Sequence, residues 1–430
     1  MAAITMAYLL ATNGLDQGQL YKLVHGENQI GRESDCQVHL DLPSVSRYHV
    51  NLIVDDSHFT ITDLNSVNGT KVNGHPVTNP VSLKSGDTVQ IADLDFSFVL
   101  EPPAVSPAQA ELKSMDFKPT AAMDTLQLRS DLLTRLRAFF DREDFLEVET
   151  PLLSADTIVD RYLYPLSVVV DQRTYWLQTS PEFHMKRLLA SGMNSIYQVT
   201  RAFRGSETGR HHNLEFTMVE WYRVGQTTAS AMELLGELAM SLLDYDGFEV
   251  LTYQQAFMDT LAIDPLHCST EELLHVIAGL DFQPPENWRN MDRDHWLDLL
   301  LSEWIQPKLG VDKPAILYDY PASQAALARL KPGEPEVAER FELYVDGVEL
   351  ANGYHELQDV DEFRRRMQQA NQQRVKDEQP CLPEESYLEL AMQQGLPDCC
   401  GVALGFDRLV MLAAGVATIS DVLTFPFDRA

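Results

Sequence analysis

Residues 201–222 read RAFRGSETGRHHNLEFTMVEWY. Three arginines, three glutamates and two adjacent histidines sit beside a run of large apolar groups. The apolar runs 196–199 and 214–221 read as strands, with the polar stretch between them as a loop. An arginine set beside buried hydrocarbon needs an anionic partner, which is either a carboxylate of the chain or a bound ligand.

Three further segments bear on that choice. GVALGFDRLVMLAAG, residues 401–415, reads as a strand running into a helix through Gly405. Gly405 lets backbone approach a ligand closely, and Arg408 falls in the first helical turn, where the dipole already favours anions. FELYVDGVELANGYHEL, residues 341–357, sets Glu349 and Glu356 around Asn352-Gly353. Two carboxylates near two arginines suit a Mg²⁺-bound polyphosphate, with hard oxygens for the metal and guanidinium forks for phosphate. TSPEFHMKRLL, residues 179–189, puts Ser180 and Glu182 at a helix start. Each segment alone also has a plain reading: an ion pair at Arg408, a solvated hairpin with exposed acids at 341–357, an N-cap at Ser180.

Working outward, LQLRSDLLTRLRAFFDRED from 126 spaces its apolar residues as an amphipathic helix, and FLEVETP follows as a strand stopped by Pro151. Helices are expected at 182–191, 229–243, 270–279, 293–305, 361–374 and 384–394, and strands at 175–178, 341–345 and 400–405. Residues 123–430 thus read as a mixed α+β domain. Residues 1–101 differ: AYLLAT, QLYKLV, QVHLD, HVNLIVD, HFTITDL, TVQIAD and DFSFVL are short β-rich runs punctuated by NG and SGD turns. Such spacing argues an all-β sandwich or barrel. Residues 102–122, rich in Pro, Ala and Ser, read as a linker.

In the first domain Gly31-Arg32, Ser46-Arg47-Tyr48-His49 and Asn68-Gly69 follow in order. Arg, Ser and Asn on neighbouring loops can converge on a phosphate. Together these residues resemble the forkhead-associated (FHA) domain, a β-sandwich that reads phosphothreonine. The resemblance implies that Arg32, Ser46, Arg47 and Asn68 face a phosphothreonine-containing partner, with Gly31 and His49 structural. Val67 stands where many members carry Thr, which removes one polar contact.

The segments of the second domain resemble the catalytic domain of class II aminoacyl-tRNA synthetases of the lysyl type. A strand-Pro motif 1, a motif 2 loop from Phe203-Arg204 to His212-Asn213, and the Gly405-Phe406-Asp407-Arg408 of motif 3 carry it. The resemblance implies an antiparallel sheet flanked by helices, and a homodimer through motif 1. Within the group, EFTMVEWYR, YPASQAALA and the terminal FDRA are most similar to the ligases that load (R)-β-lysine onto elongation factor P. By position, Arg204 and Arg408 would be catalytic and clamp ATP. Ser206, Glu207, His212, Asn213, Glu349, Leu350 and Gly405 would line the ATP site, and Glu349 and Glu356 would hold Mg²⁺. Ser180, Glu182, Glu220, Tyr222, Glu356 and Ala403 would surround a lysine-like substrate. Ala403 replaces the usual Gly of lysyl-tRNA synthetases, which reshapes the space for the amino-acid backbone. Motif 2 carries Ser206 at its usual acidic position and Glu207 one place later; either the loop shifts or Ser206 and backbone suffice.

Composition narrows the partners. The 430 residues carry 33 Lys and Arg against 64 Asp and Glu, a net charge of −31. Such a surface repels phosphate backbones and argues against tRNA. Five cysteines at 36, 268, 381, 399 and 400 show no zinc or disulfide spacing, which suits a reduced cytoplasmic setting. No apolar stretch approaches membrane-spanning length. The expected function is ATP-dependent activation of (R)-β-lysine or lysine and its transfer to elongation factor P. A lysine–tRNA ligase and a phosphothreonine-binding scaffold with an inactive synthetase domain are the alternatives.

Overall fold

The computed structural model describes residues 7–13, 20–33, 36–40, 42, 44–55, 58–100, 117–205, 208–280, 291–334 and 336–430. The chain divides into two compact units, Met1–Phe117 and Lys118–Ala430.

The first unit is a sandwich of two sheets. One orders its strands Leu20–Leu23, Ala7–Ala11, Leu94–Val99, Thr88–Ile91, Thr70–Val72 and His75–Pro76. The other runs Val38–His39, Gly26–Gly31, Val50–Asp55, His58–Asp63 and Val81–Ser82. Alternation along the strands builds the core: Leu9, Val89, Ile91, Phe96 and Phe98 meet Val50, Leu52, Val54, Phe59 and Ile61. Asn73 and Gly74 take φ of 50° and 80° and close Thr70–Val72 onto His75–Pro76, as an Asn-Gly pair does in a tight hairpin. The strand Gly26–Gly31 is mostly polar in sequence; its buried Asn28 side chain bonds Val24 and the Leu52 carbonyl.

The second unit is built on a nine-stranded sheet. Its path runs Leu146–Glu147, Ser195–Phe203, Glu215–Val224, Cys399–Gly405, Val348–His355, Val337–Val345, Ala315–Pro321 and Glu249–Thr252, with Leu330–Lys331 paired to Val337–Val345. The six central strands are antiparallel, and the two outermost run parallel to their neighbours. Helices Met123–Arg142, Thr228–Leu243 and Phe406–Ala414 cover one face, where Leu132, Leu136, Phe140, Leu235 and Val410 pack on Val219, Trp221, Leu343 and Leu404. Phe140 stacks on Tyr197 with ring centroids 4.4 Å apart. On the other side a smaller core joins helix Glu182–Ala190 to helices Val360–Lys376 and Tyr387–Gly395 through Phe183, Leu189, Phe363, Met367 and Leu388. Residues 118–122, inside the stretch read as linker, belong with this unit: Thr120 and Ala121 donate backbone bonds to Thr424 and Leu423.

The hairpin at 341–357 differs from its plain reading. Its turn is Asp346-Gly347, with φ of 48° and 71°, whereas Asn352-Gly353 lies in mid-strand. Gly353 packs so closely on the Phe341 ring and Val402 that no side chain fits there.

Candidate active site

Alternation sorts the central strands into a core face and an open face. On Glu215–Val224, Val219 and Trp221 enter the core while Met218, Glu220 and Tyr222 face a cleft. On Cys399–Gly405, Val402 and Leu404 turn inward while Gly401, Ala403 and Gly405 line the cleft. Register aligns Glu220, Ala403 and Asn352 in one cross-strand row and Tyr222, Gly401 and Tyr354 in the next. The cleft encloses about 1010 Å³ and has two chemically distinct ends.

One end holds the arginines. Arg408, in the first turn of its helix, donates to the Glu349 carbonyl oxygen at 2.8 Å and to the His211 carbonyl at 3.2 Å. Its NH2 lies 2.6 Å from Nε2 of His212. Arg204 stands over the Phe216 ring, 5.2 Å from its centroid, and donates to the Thr179 carbonyl. Leu350 and Gly405 line the same wall. Asn213 also lines it; its side chain bonds the Glu215 carbonyl and accepts from the Phe427 amide. The Glu349 carboxylate faces the cleft, 40% exposed, 4.0 Å from Arg408. Burial and Glu342 push its pKa up, against the pull of Arg408, Arg340 and Arg204. The neighbouring Asp407 is buried and structural: it accepts from the Thr217 amide at 2.8 Å and pairs with Arg129 at 2.6 Å. Ser206 and Glu207 lie outside the described residues.

The other end gathers carboxylates. Glu220 accepts from Ser180 Oγ and from Tyr222 OH, both at 2.6 Å. Ser180 Oγ in turn accepts the Glu182 amide at 3.0 Å. Lys186, nearly fully buried, reaches Glu182 Oε1 and Glu356 Oε2, each at 2.5 Å. Burial alone would depress the Lys186 ammonium; Glu182 and Glu356 reverse that and hold it above the usual lysine range. Burial and the Glu182 charge push Glu220 up to about 7. Burial likewise raises Glu356, with Lys186 opposing. Glu349 and Glu356 therefore stand in different company, one beside Arg408 and one beside Lys186.

Among the described residues no three of His, Cys, Asp and Glu converge on a metal position. Two carboxylates fall short of a dedicated cage. Glu349 stands at the phosphate end, where Mg²⁺ keeps waters and takes its remaining ligands from phosphates. Glu356, expected to share the metal, lies just past the far end of the strand Val348–His355 and is engaged by Lys186, so the two do not meet at one position. Two features escaped the motif reading. Lys186 follows Glu182 by one helical turn, a spacing that was the available signal. The buried Glu342, which accepts from Tyr320 OH and Arg340 at 2.5 Å each, had none.

Comparison with known proteins settles the family. A model of tRNA synthetases class II (D, K and N) matches residues 107–429. The chain belongs to that family. Its members are ATP-dependent amino-acid ligases, so this class II synthetase chain is a ligase by family. Elongation factor P–(R)-β-lysine ligase of Yersinia enterocolitica is 45% identical over 324 residues, 74% of this chain and 99% of that protein. The ligase of the same name from Vibrio vulnificus is also 45% identical over 324 residues, 73% of this chain and 99% of that protein.

An FHA domain model matches residues 28–92, ahead of the synthetase domain. In this FHA domain His49 is fully buried; its Nδ1 accepts the Ser46 amide and its Nε2 donates to the Gly69 carbonyl, both at 3.1 Å. That imidazole ties the 44–49 loop to the 64–69 loop from behind. Ser46 Oγ accepts the Val67 amide at 3.0 Å, and Asn68 donates to the Ser44 carbonyl at 2.7 Å. A Cβ on Gly31 would run into the Arg47 carbonyl. The side chains of Arg32 and Arg47 are exposed, with no partner among the described residues. Val67, 88% exposed, projects beside Asn68.

Proposed function

We propose that the synthetase domain activates (R)-β-lysine or lysine with ATP and transfers the acyl group to a lysine ε-amine of elongation factor P. The observation that carries this reading is the two-ended cleft: arginines at one end, buried carboxylates at the other, joined by the Gly401–Gly405 wall. Ser180, Glu182, Glu220, Tyr222 and Glu356 take up the two ammonium groups of a lysine-type substrate. Its carboxylate then points to Arg204 and Arg408, which hold the ATP phosphates. The carboxylate oxygen attacks the α-phosphorus and pyrophosphate leaves, giving an acyl-adenylate. The acceptor amine attacks the acyl carbon and AMP leaves. Catalysis of this kind is positioning plus charge neutralisation. Neutral His212 accepts from Arg408 and keeps its fork aimed. Glu349 would hold Mg²⁺ with the phosphates, and the metal would neutralise charge developing on pyrophosphate.

The relatives' names, their near-complete coverage and the net charge of −31 support a protein acceptor over tRNA. The FHA domain is proposed to bind a phosphothreonine-containing protein through Arg32, Ser46, Arg47 and Asn68. A homodimer is supported by the Ser167–Val170 strand, exposed along its whole length with Val169 outermost, close in sequence to the motif 1 strand. A cytoplasmic setting is supported by five free cysteines and by the lack, among the described residues, of a helix long and apolar enough to cross a membrane.

The test is direct. The protein is incubated with Mg-ATP, (R)-β-lysine and elongation factor P, and the factor is weighed by mass spectrometry. A mass gain of one lysyl residue is expected. An unchanged mass under conditions that form adenylate removes this acceptor, and charging of tRNA-Lys in a parallel arm replaces it.

A further inference from the structure

Lys186 takes no part in the reaction above, yet it stands inside the cleft's carboxylate end. Its side chain is 3% exposed, and its ammonium is 2.5 Å from both Glu182 and Glu356. A buried ion pair contributes little net stability over well-packed hydrocarbon, so stability alone gives weak reason for it. Charge counting gives a better one. Glu182, Glu220 and Glu356 bring three carboxylates to this end, and Lys186 answers one of them. The remaining donors, Ser180 and Tyr222, are neutral hydroxyls. With all three carboxylates ionised, the state an ammonium partner favours, this end is short by two positive charges, and a lysine-type amino acid carries two ammonium groups. Lys186 holds Oε1 of Glu182 and Oε2 of Glu356, leaving the second oxygen of each carboxylate for the ligand.

Resting on the proposed amino-acid site, we infer that Lys186 is a positioning and specificity residue. It is a fixed counter-ion that orients Glu182 and Glu356 and sets the pocket's deficit at two charges. The pocket thereby selects a diammonium amino acid over a monoammonium one of the same shape. Norleucine, which carries a hydrogen in place of the ε-ammonium, leaves a buried carboxylate unanswered and is rejected.

The experiment compares the parent protein with Lys186→Met and Lys186→Arg. Calorimetry follows binding of (R)-β-lysine, lysine and norleucine, and pyrophosphate exchange gives the KM for amino acid and for ATP. Lys186→Met is expected to lose at least about tenfold in lysine affinity and to narrow the lysine-over-norleucine preference by a similar factor, with the ATP KM within about twofold. Lys186→Arg keeps the charge and is expected to recover most of the loss. Two results overturn the inference: lysine affinity unchanged in Lys186→Met, or amino-acid and ATP parameters falling together in both variants, as a purely structural lysine would give. A parent that binds lysine while the variants match it removes the inference alone. A parent that binds no lysine isomer removes the site reading with it.

Discussion

The guanidinium of Arg408 lies 2.6 Å from Nε2 of His212, so the imidazole is the acceptor and carries no charge. Burial, then Arg408, His211 and Arg204, push its pKa down to about 4. The same guanidinium donates to the backbone of Glu349 and His211. Three anchors fix a planar fork that a single ammonium cannot reproduce. Arg408→Lys is expected to lose about a hundredfold or more in ATP–pyrophosphate exchange, with little change in melting temperature. Exchange within threefold of the parent would take Arg408 out of the nucleotide end.

Glu220 supplies the pH dependence. Burial and the Glu182 charge raise it to about 7, with Ser180, Tyr222 and Lys186 pulling the other way. An ammonium group pairs with the ionised carboxylate, so lysine affinity is expected to climb as pH rises through about 7 and then level off. The stability of the free protein runs in the opposite sense. The folded state holds this proton more tightly than the unfolded chain, whose value is near 4.5. That contribution is full below 4.5 and is lost as pH rises through about 7. Lysine should therefore raise the melting temperature more at pH 8 than at pH 6; an equal increment at both would exclude Glu220 as its partner.

How far the sequence showed this arrangement depended on whether a residue's role is local. Gly405, Asp407 and Arg408 belong to one strand-to-helix junction, and their spacing announces it. Asn73-Gly74 closes a single hairpin and was equally plain, whereas His49 joins two loops 20 residues apart, and its structural role came only with the FHA resemblance. Lys186 reads as one more basic residue on an amphipathic helix until sheet register brings Glu356 against it. Asn352-Gly353 carries a strong turn signal, yet the Phe341 ring and Val402 claim that glycine for close packing, and Asp346-Gly347 makes the turn. The expected helix at 293–305 ends its α-helical part at Leu300 and continues as a π turn over Leu301–Ile305, because its apolar spacing does not reveal the hydrogen-bond shift.

In the FHA domain, exposed and buried residues make separable predictions. Arg32 is exposed and has no partner among the described residues, so Arg32→Ala should leave the domain's stability within about 0.5 kcal/mol. It should weaken binding of a phosphothreonine peptide at least tenfold, since a charged fork to phosphate is lost. His49→Ala empties a fully buried position and orphans the Ser46 amide and Gly69 carbonyl. It should cost about 2–4 kcal/mol in denaturant unfolding and weaken the peptide as well. Equal peptide binding by the parent and Arg32→Ala would show that Arg32 does not read the phosphate.

Gly401 and Ala403 share one face of one strand, and a methyl group has opposite consequences at the two positions. At Gly401 a Cβ would overlap both the Tyr222 ring and the Glu356 carboxylate. Gly401→Ala must displace two groups of the carboxylate end. It is expected to lose about a hundredfold or more in lysine-dependent exchange while ATP binding, measured alone, is kept. At Ala403 the methyl is native and stands in register between Glu220 and Asn352. Ala403→Gly deepens the wall by about one methyl, worth roughly 1 kcal/mol of discrimination between shapes. Room is gained where the amino-acid backbone would lie, so the kcat/KM ratio should move several-fold from (R)-β-lysine toward α-lysine. A ratio that stays put, in a variant that still turns over both isomers, would mean that position 403 does not touch the part of the substrate in which they differ.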